Sequence, residues 1–171
     1  PVVLEKGEGV FVWDVDGKRY YDFLSAYSAV NQGHCHPRIL NALTTQAQKL
    51  SLTSRAFYNS VLGEYEQYIT SYFGYDKVLP MNTGAEATET AIKLARKYAY
   101  EIKGVPPNLA KIAVMHNNFM GRTMGAISGS TDYYSYHNFG PLTAGSVTIP
   151  FNDVFAVKYI LQDANVCAIL A

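Results

Sequence analysis

Val78-Leu-Pro-Met-Asn-Thr-Gly-Ala-Glu-Ala87 reads as a short apolar segment, a Thr-Gly corner and the opening of a helix. The spacing predicts a strand over 78–82 and a long helix over 85–103, with Ala91, Ile92, Ala95, Tyr98, Ala99 and Ile102 turned inward. Gly104 supplies a stop, and Pro106-Pro107 prevents resumption. Working outward, Lys111-Ile-Ala-Val-Met115 is a strand, 121–128 a short helix of small residues, and 146–151 a strand. Asp153 caps a helix over 154–161, and 166–170 is a final strand. This alternation predicts an α/β fold, with a mostly parallel sheet covered by helices.

Upstream of residue 78 the pattern differs. Val10-Phe-Val-Trp13, a turn at Asp14-Val-Asp-Gly17 and the return Lys18-Arg-Tyr-Tyr-Asp-Phe23 form a β-hairpin with nothing catalytic in it. Residues 25–36 have no clean period. Pro37 suits the first turn of a helix whose face is Ile39, Leu40, Leu43, Ala47 and Leu50. Asn59 or Ser60 caps a second helix, with Leu62, Tyr65, Ile69 and Tyr72 at helical spacing and Gly74 as its stop. The expected division is an N-terminal hairpin segment, 1–30, ahead of the first part of a larger domain, 31–171. The apolar run Val166-Cys-Ala-Ile-Leu-Ala171 ends with no turn after it, which reads as a chain cut within a strand.

Composition excludes several classes. The 171 residues carry 14 basic and 14 acidic side chains, so a zero formal charge offers no electrostatic case for nucleic acid or an anionic membrane. With 49% hydrophobic residues the chain is not disordered. No apolar run approaches the roughly 18 residues of a membrane span. Two cysteines, Cys35 and Cys167, make no disulfide framework, which favours an intracellular protein. The excess is in tyrosine, 14 in all, too many for surface filler.

Three stretches carry candidate chemistry. At Met81-Asn-Thr-Gly-Ala-Glu-Ala87 a turn into a helix aims free N–H groups and the positive end of the helix dipole at one point, an anion site suited to phosphate. Gly84 permits close backbone approach. The alternative is a plain connection with Thr83 as cap. At Asn117-Asn-Phe-Met-Gly-Arg-Thr123, after a strand, Phe119 offers a stacking face and Arg122 a carboxylate fork. The alternative puts Phe119 in the core and Arg122 in a surface ion pair. His34-Cys35-His36 has zinc-ligand residue types, but adjacent side chains rarely converge on a tetrahedral ion, so no metal is expected. Tyr27 and Tyr58 lie off the helical faces, where they line a cleft or pack locally.

Taken together, Ser25-Ala-Tyr-Ser-Ala-Val-Asn-Gln-Gly-His-Cys-His-Pro37, Leu52-Thr-Ser-Arg-Ala-Phe-Tyr-Asn59, Leu79-Pro-Met-Asn-Thr-Gly-Ala-Glu-Ala87 and Asn118-Phe-Met-Gly-Arg-Thr123 resemble the ornithine aminotransferases. These are class III, fold-type I enzymes dependent on pyridoxal phosphate. The likeness runs essentially end to end. The Gly-His-x-His-Pro and Asn-x-Gly-x-Glu-Ala patterns are shared across class III, whereas the first two stretches point more narrowly to ornithine. The resemblance implies that Gly84 and Ala85 give N–H groups to the phosphate, with Thr83 beside them, and that Phe119 stacks on the pyridine ring. It implies that Arg122 holds a substrate carboxylate and that Tyr27 lines the pocket and favours ornithine among ω-amines. His34, Cys35 and His36 are then structural. Met120 stands where the family often has an aromatic residue, beside the stacking position rather than at it.

The resemblance also implies an absence. The Schiff-base lysine and the acid at the pyridine nitrogen come later in the family than the matched segment. None of Lys77, Lys93, Lys97, Lys103, Lys111 and Lys158 sits in a similar context, so no catalytic residue is assigned here and the lysine is expected beyond Ala171. The implied activity moves the δ-amino group of L-ornithine to 2-oxoglutarate, giving glutamate 5-semialdehyde and glutamate, in a homodimer of the cytoplasm or mitochondrial matrix. Rival readings are another class III ω-aminotransferase, for acetylornithine or 4-aminobutyrate, and a non-catalytic fragment that only binds or assembles.

Overall fold

The computed structural model describes all 171 residues, which divide into two compact units, Pro1–Asp76 and Lys77–Ala171. The first unit opens with an antiparallel sheet of β1 (Leu4–Glu8), β2 (Phe11–Asp14) and β3 (Arg19–Tyr21), in the order β1-β2-β3. The expected hairpin is β2–β3, with Phe11 opposite Tyr21 and Trp13 opposite Arg19, and β1 extends it. Asp14 builds the corner. Its Oδ1 accepts the N–H groups of Asp16 at 3.1 Å and Lys18 at 2.8 Å, and its Oδ2 accepts the Tyr20 hydroxyl at 2.7 Å. The Tyr20 bond holds the Asp14 carboxyl below the usual carboxylate range.

Next comes α1 (Ser25–Ser28), a single turn wound left-handed, with φ of 47°, 47°, 58° and 71°. Left-handed backbone brings Cβ against the carbonyl oxygen and costs about 1–2 kcal/mol per residue. The helices α2 (Pro37–Lys49) and α3 (Leu62–Phe73) follow where the spacing placed them. Neither Asn59 nor Ser60 occupies the N-cap of α3, which is Val61 with no side-chain bond, but Asn59 reaches the first turn from two residues earlier, its Oδ1 accepting the N–H of Leu62 at 2.9 Å. Gly74 closes the helix at φ 72°.

The second unit contains α4 (Gly84–Glu101), β4 (Lys111–Met115), α5 (Met124–Ile127), α6 (Tyr133–Tyr136), β5 (Ser146–Ile149), α7 (Val154–Ile160) and β6 (Val166–Leu170). Its sheet has the order β5-β4-β6, parallel throughout. The central strand β4 is the most buried, through Ile112, Ala113 and Val114. Burying each of the larger two contributes about 1.5–3 kcal/mol. Ala113, Ile149 and Val166 form one core cluster, to which α7 adds Ala156, Val157 and Ile160. Ala99, Val105 and Ala110 form another below α4. As expected, Asp153 caps α7, accepting the N–H groups of Phe155 and Ala156, both at 2.9 Å. No helix is long and apolar enough to cross a membrane.

Three further expectations are corrected. Residues 78–82 are not a strand: β4 is already paired on both sides, the segment has no ladder partner, and Pro80 has no N–H to donate. The inward face of α4 is also different. Ile92, Ala95 and Ala99 do face in, but Ala91, Tyr98 and Ile102 are exposed, and Glu89 and Arg96 share the inward side. The helix bears two apolar stripes and the sheet covers only one, so apolarity alone does not choose between them. The helix expected over 121–128 shrinks to α5, and α6 adds a turn that hydrophobic spacing does not announce.

Candidate functional site

Thr83 holds extended backbone ahead of α4 and its Oγ1 accepts the N–H of Glu86 at 3.1 Å. Glu86 reaches back, its Oε2 accepting the N–H of Asn82 at 2.8 Å. The Ala87 N–H goes to the Thr83 carbonyl. The N–H groups of Gly84 and Ala85 are left without an acceptor, at the positive end of an 18-residue helix. A Cβ built on Gly84 would meet nothing within 4 Å, so there is room for a ligand oxygen at this end. The cap and the free donors therefore coexist, where the sequence presented them as alternatives.

Residues 116–123 leave the carboxyl end of β4, the central strand. Asn118 ties the loop down, its Nδ2 donating to the carbonyls of Met115 at 2.7 Å and Gly129 at 2.8 Å. Asn117, at φ 62°, donates its N–H to Thr131 Oγ1 at 2.8 Å. Phe119 is not in the core; it is 75% exposed. Arg122 is exposed and makes no ion pair. Arg122 lines an open cleft with Met124, Tyr134 and Phe139, a cationic residue among aromatic ones. Asp132 also lines that cleft, but its oxygens are turned to the Tyr134 N–H and the Ser135 hydroxyl.

One residue joins the loop to the helix. Gly121 sits at φ 119°, and a Cβ there would stand 3.4 Å from the Cβ of Ala126 and 3.5 Å from that of Ala85. The loop backbone at Gly121 thus lies one side chain's width from Ala85 in the first turn of α4, and Phe119 and Arg122 belong to that loop. Thr123 adds a second link, capping α5 through the Ala126 N–H and donating its hydroxyl to the Glu89 carboxylate on α4. Two free N–H groups on the helix and an exposed ring on the neighbouring loop are the donor types for a ligand with a phosphate and a flat aromatic nucleus. Asn118, Gly121, Thr123 and Glu89 were not read from the sequence as supports. The signals present were a glycine after an aromatic residue, and an acidic residue at the inward spacing of α4.

Tyr27 belongs to the first unit. It stands in the left-handed α1 turn, 88% exposed, and its place is secured by Asp22. Asp22 Oδ1 accepts the N–H groups of Ser25 at 2.8 Å and Leu24 at 3.1 Å, and Oδ2 lies 2.6 Å from His34 Nε2. The His34 bond, followed by the Ser25 N–H, holds the Asp22 carboxyl below its ordinary range. His34 also bridges Gly9 through both backbone groups, and a Cβ on Gly7 would come within 2.7 Å of its ring. Cys35 is exposed at φ 54°, and His36 precedes α2. Several lysines are engaged elsewhere. Lys111 Nζ lies 2.7 Å from Asp163, Lys103 Nζ donates to the Val166 carbonyl at 3.1 Å, and Lys97 pairs with Glu101 at 3.4 Å.

Against known proteins, a family model described as Aminotransferase class-III matches residues 1–169. The chain is 63% identical over 170 residues to the mitochondrial ornithine aminotransferase of Drosophila ananassae, covering 99% of this chain and 39% of that one. Among solved structures, the ornithine aminotransferase from Toxoplasma gondii superposes with a TM-score of 0.97 at 52% identity, covering 99% of this chain and 40% of that one. The acetylornithine aminotransferase from Elizabethkingia anophelis superposes at 0.82 with 62% identity, over 99% of this chain and 41% of that one. The chain thus spans about two fifths of the length of these proteins.

Proposed function

This chain belongs to the class-III aminotransferase family, of fold type I, and we propose on that premise that it forms the phosphate- and carboxylate-binding part of an enzyme acting on ornithine. The full-length enzyme moves the δ-amino group of L-ornithine to 2-oxoglutarate, giving glutamate 5-semialdehyde and glutamate. The observation that supports the reading is the approach of Gly121 to Ala85, the residue that carries one of the two unpaired N–H groups, by the loop that bears Phe119 and Arg122. Pyridoxal phosphate fits those groups, and when bound it supplies the electron sink for amine transfer. Gly84 and Ala85 donate to its phosphate, Thr83 keeps the turn closed, and the ring of Phe119 covers one face. Arg122 fixes the α-carboxylate end of ornithine, so the distal amine is the one presented for reaction. Tyr27 bounds the substrate pocket.

The general base is proposed to be a lysine outside residues 1–171: Lys97, Lys103 and Lys111 are engaged elsewhere, and Lys77, Lys93 and Lys158 sit in no context that resembles the family's lysine. In this reading residues 1–30 are an N-terminal segment and 31–171 the first part of the large domain. The enzyme is a homodimer of an intracellular compartment, and the name of the Drosophila relative favours the mitochondrial matrix.

One half-reaction tests the substrate. Ornithine added to the full-length holoenzyme is expected to bleach the visible absorbance of the cofactor. If 4-aminobutyrate or acetylornithine bleaches it and ornithine does not, the substrate assignment is wrong. Acetylornithine is the second reading because of the 62% identity to the Elizabethkingia enzyme.

A further inference from the structure

We infer that Glu89 is a positioning residue, which sets the distance between the Arg122 loop and the phosphate-binding end of α4 through its hydrogen bond from Thr123. The inference rests on the roles given above to Arg122 and to Gly84 and Ala85. Three observations meet at this carboxylate. Thr123, the residue after Arg122, donates its hydroxyl to Glu89 Oε1 while its oxygen caps α5. Glu89 makes no ion pair with Lys93, one turn further along α4, so its bond is spent on the loop. Gly125 leaves room for it: a Cβ built there would stand 2.5 Å from both carboxylate oxygens.

Glu89 lies four residues, about one turn, beyond Ala85 on the same helix. Gly121 faces that helix at Ala85, where only an added Cβ would come into contact, and Thr123 bonds it at Glu89. Two points of approach one turn apart fix both the position and the tilt of the intervening segment, which contains Arg122. With only the Gly121 approach, the loop could pivot and carry the guanidinium away from the substrate carboxylate. The phosphate donors, being backbone groups of α4 itself, would not move. A carboxylate is the stronger acceptor for a hydroxyl donor, which suits a bond that must hold an otherwise exposed loop.

The test uses the full-length holoenzyme and separates KM from kcat. Glu89→Ala and Thr123→Val are each expected to raise KM for ornithine and for 2-oxoglutarate about tenfold, with pyridoxal phosphate affinity within about twofold. Thr123→Ser keeps the hydroxyl and is expected to restore the parent KM. Gly125→Ala pushes the carboxylate off Thr123 without lowering helix propensity, and is expected to raise KM as the other two do. The double variant Glu89→Ala/Thr123→Val should be no worse than Thr123→Val alone, because both changes remove the same bond and Thr123→Val already removes the α5 cap. Additive effects in the double variant, or unchanged KM in Gly125→Ala and Thr123→Val, would overturn the inference. Arg122→Lys keeps the two failures apart. If Arg122→Lys raises KM for both carboxylates while the Glu89 and Thr123 variants do not, the positioning role is wrong and the substrate reading stands. If Arg122→Lys leaves both KM values unchanged, the role of Arg122 falls and the positioning role with it.

Discussion

Two short segments carry the candidate side chains, and they are held in opposite ways. The α1 turn, with Tyr27, is wound in backbone conformations that L-residues disfavour, and the Asp22 carboxylate, bonded to the Leu24 and Ser25 N–H groups and to the His34 ring, keeps it there. The 116–123 loop, with Phe119 and Arg122, hangs from the buried central strand and is fastened mainly by neutral groups and by close approach at glycine. A segment with unfavourable intrinsic geometry persists only where its surroundings over-determine it. At α1 that task falls largely to one carboxylate. At the loop it is spread over Asn117, Asn118, Gly121 and Thr123, so removing the bond of Asn117 or of Asn118 alone should do less than removing Asp22 does to α1. The exception is Gly121, where backbone geometry and close approach coincide.

Gly121→Val should therefore have the largest effect. A β-branched residue resists φ 119° and would press on Ala85 and Ala126. Displacing the Arg122 loop by about 1 Å is expected to lower kcat/KM about a hundredfold for ornithine in the full-length enzyme. A variant with parent kinetics would mean the loop is not held at this point. Asp22→Ala should have the next effect, and a different one. Freed from its acceptor, α1 is expected to unwind and displace Tyr27, changing the ratio of kcat/KM for ornithine over 4-aminobutyrate about tenfold. On the role proposed for Arg122, the KM for 2-oxoglutarate should hold. If Asp22→Ala raised both KM values equally, the two segments would not be separable as described.

The smallest effect is a titration. The Asp22 carboxyl is held low by His34 and by the Ser25 and Leu24 N–H groups. A group lowered in the folded state stabilises above its unfolded pKa, and that contribution is lost as the pH falls through the folded value. Below the usual carboxylate range the amide resonances of Leu24 and Ser25 should shift as α1 loosens. Those of Asn117 and the Asn118 side chain should stay, since their partners are a hydroxyl and two carbonyls. Coincident shifts in both segments would collapse the distinction.

Much of this molecule was legible beforehand where a local rule acts alone. The corner at Asp14–Gly17, the Asp153 cap, the Gly74 stop and the strands β4, β5 and β6 all follow from residue type and period. The motif residues Thr83, Gly84, Phe119 and Arg122 stood out for their chemistry. What could not be read was anything that depends on a partner distant in sequence. Residues 78–82 have strand-like composition and no ladder. The apolar residues Tyr98 and Ile102 face out while Arg96 faces in, its guanidinium donating to the Ala144 carbonyl at 2.7 Å.

By itself, then, the sequence determined the class of the fold, the family, and which side chains have the chemistry for a phosphate and a carboxylate, because those depend on residue type and near neighbours. The tertiary structure decided which α4 stripe is covered, that Gly121 approaches Ala85, that Thr123 reaches Glu89, and that Asp22 holds α1. The physical reason is range. Hydrogen bonding and packing act over a few ångströms in space, and pairs such as Thr123 and Glu89 come that close only after β4 and α4 have folded together.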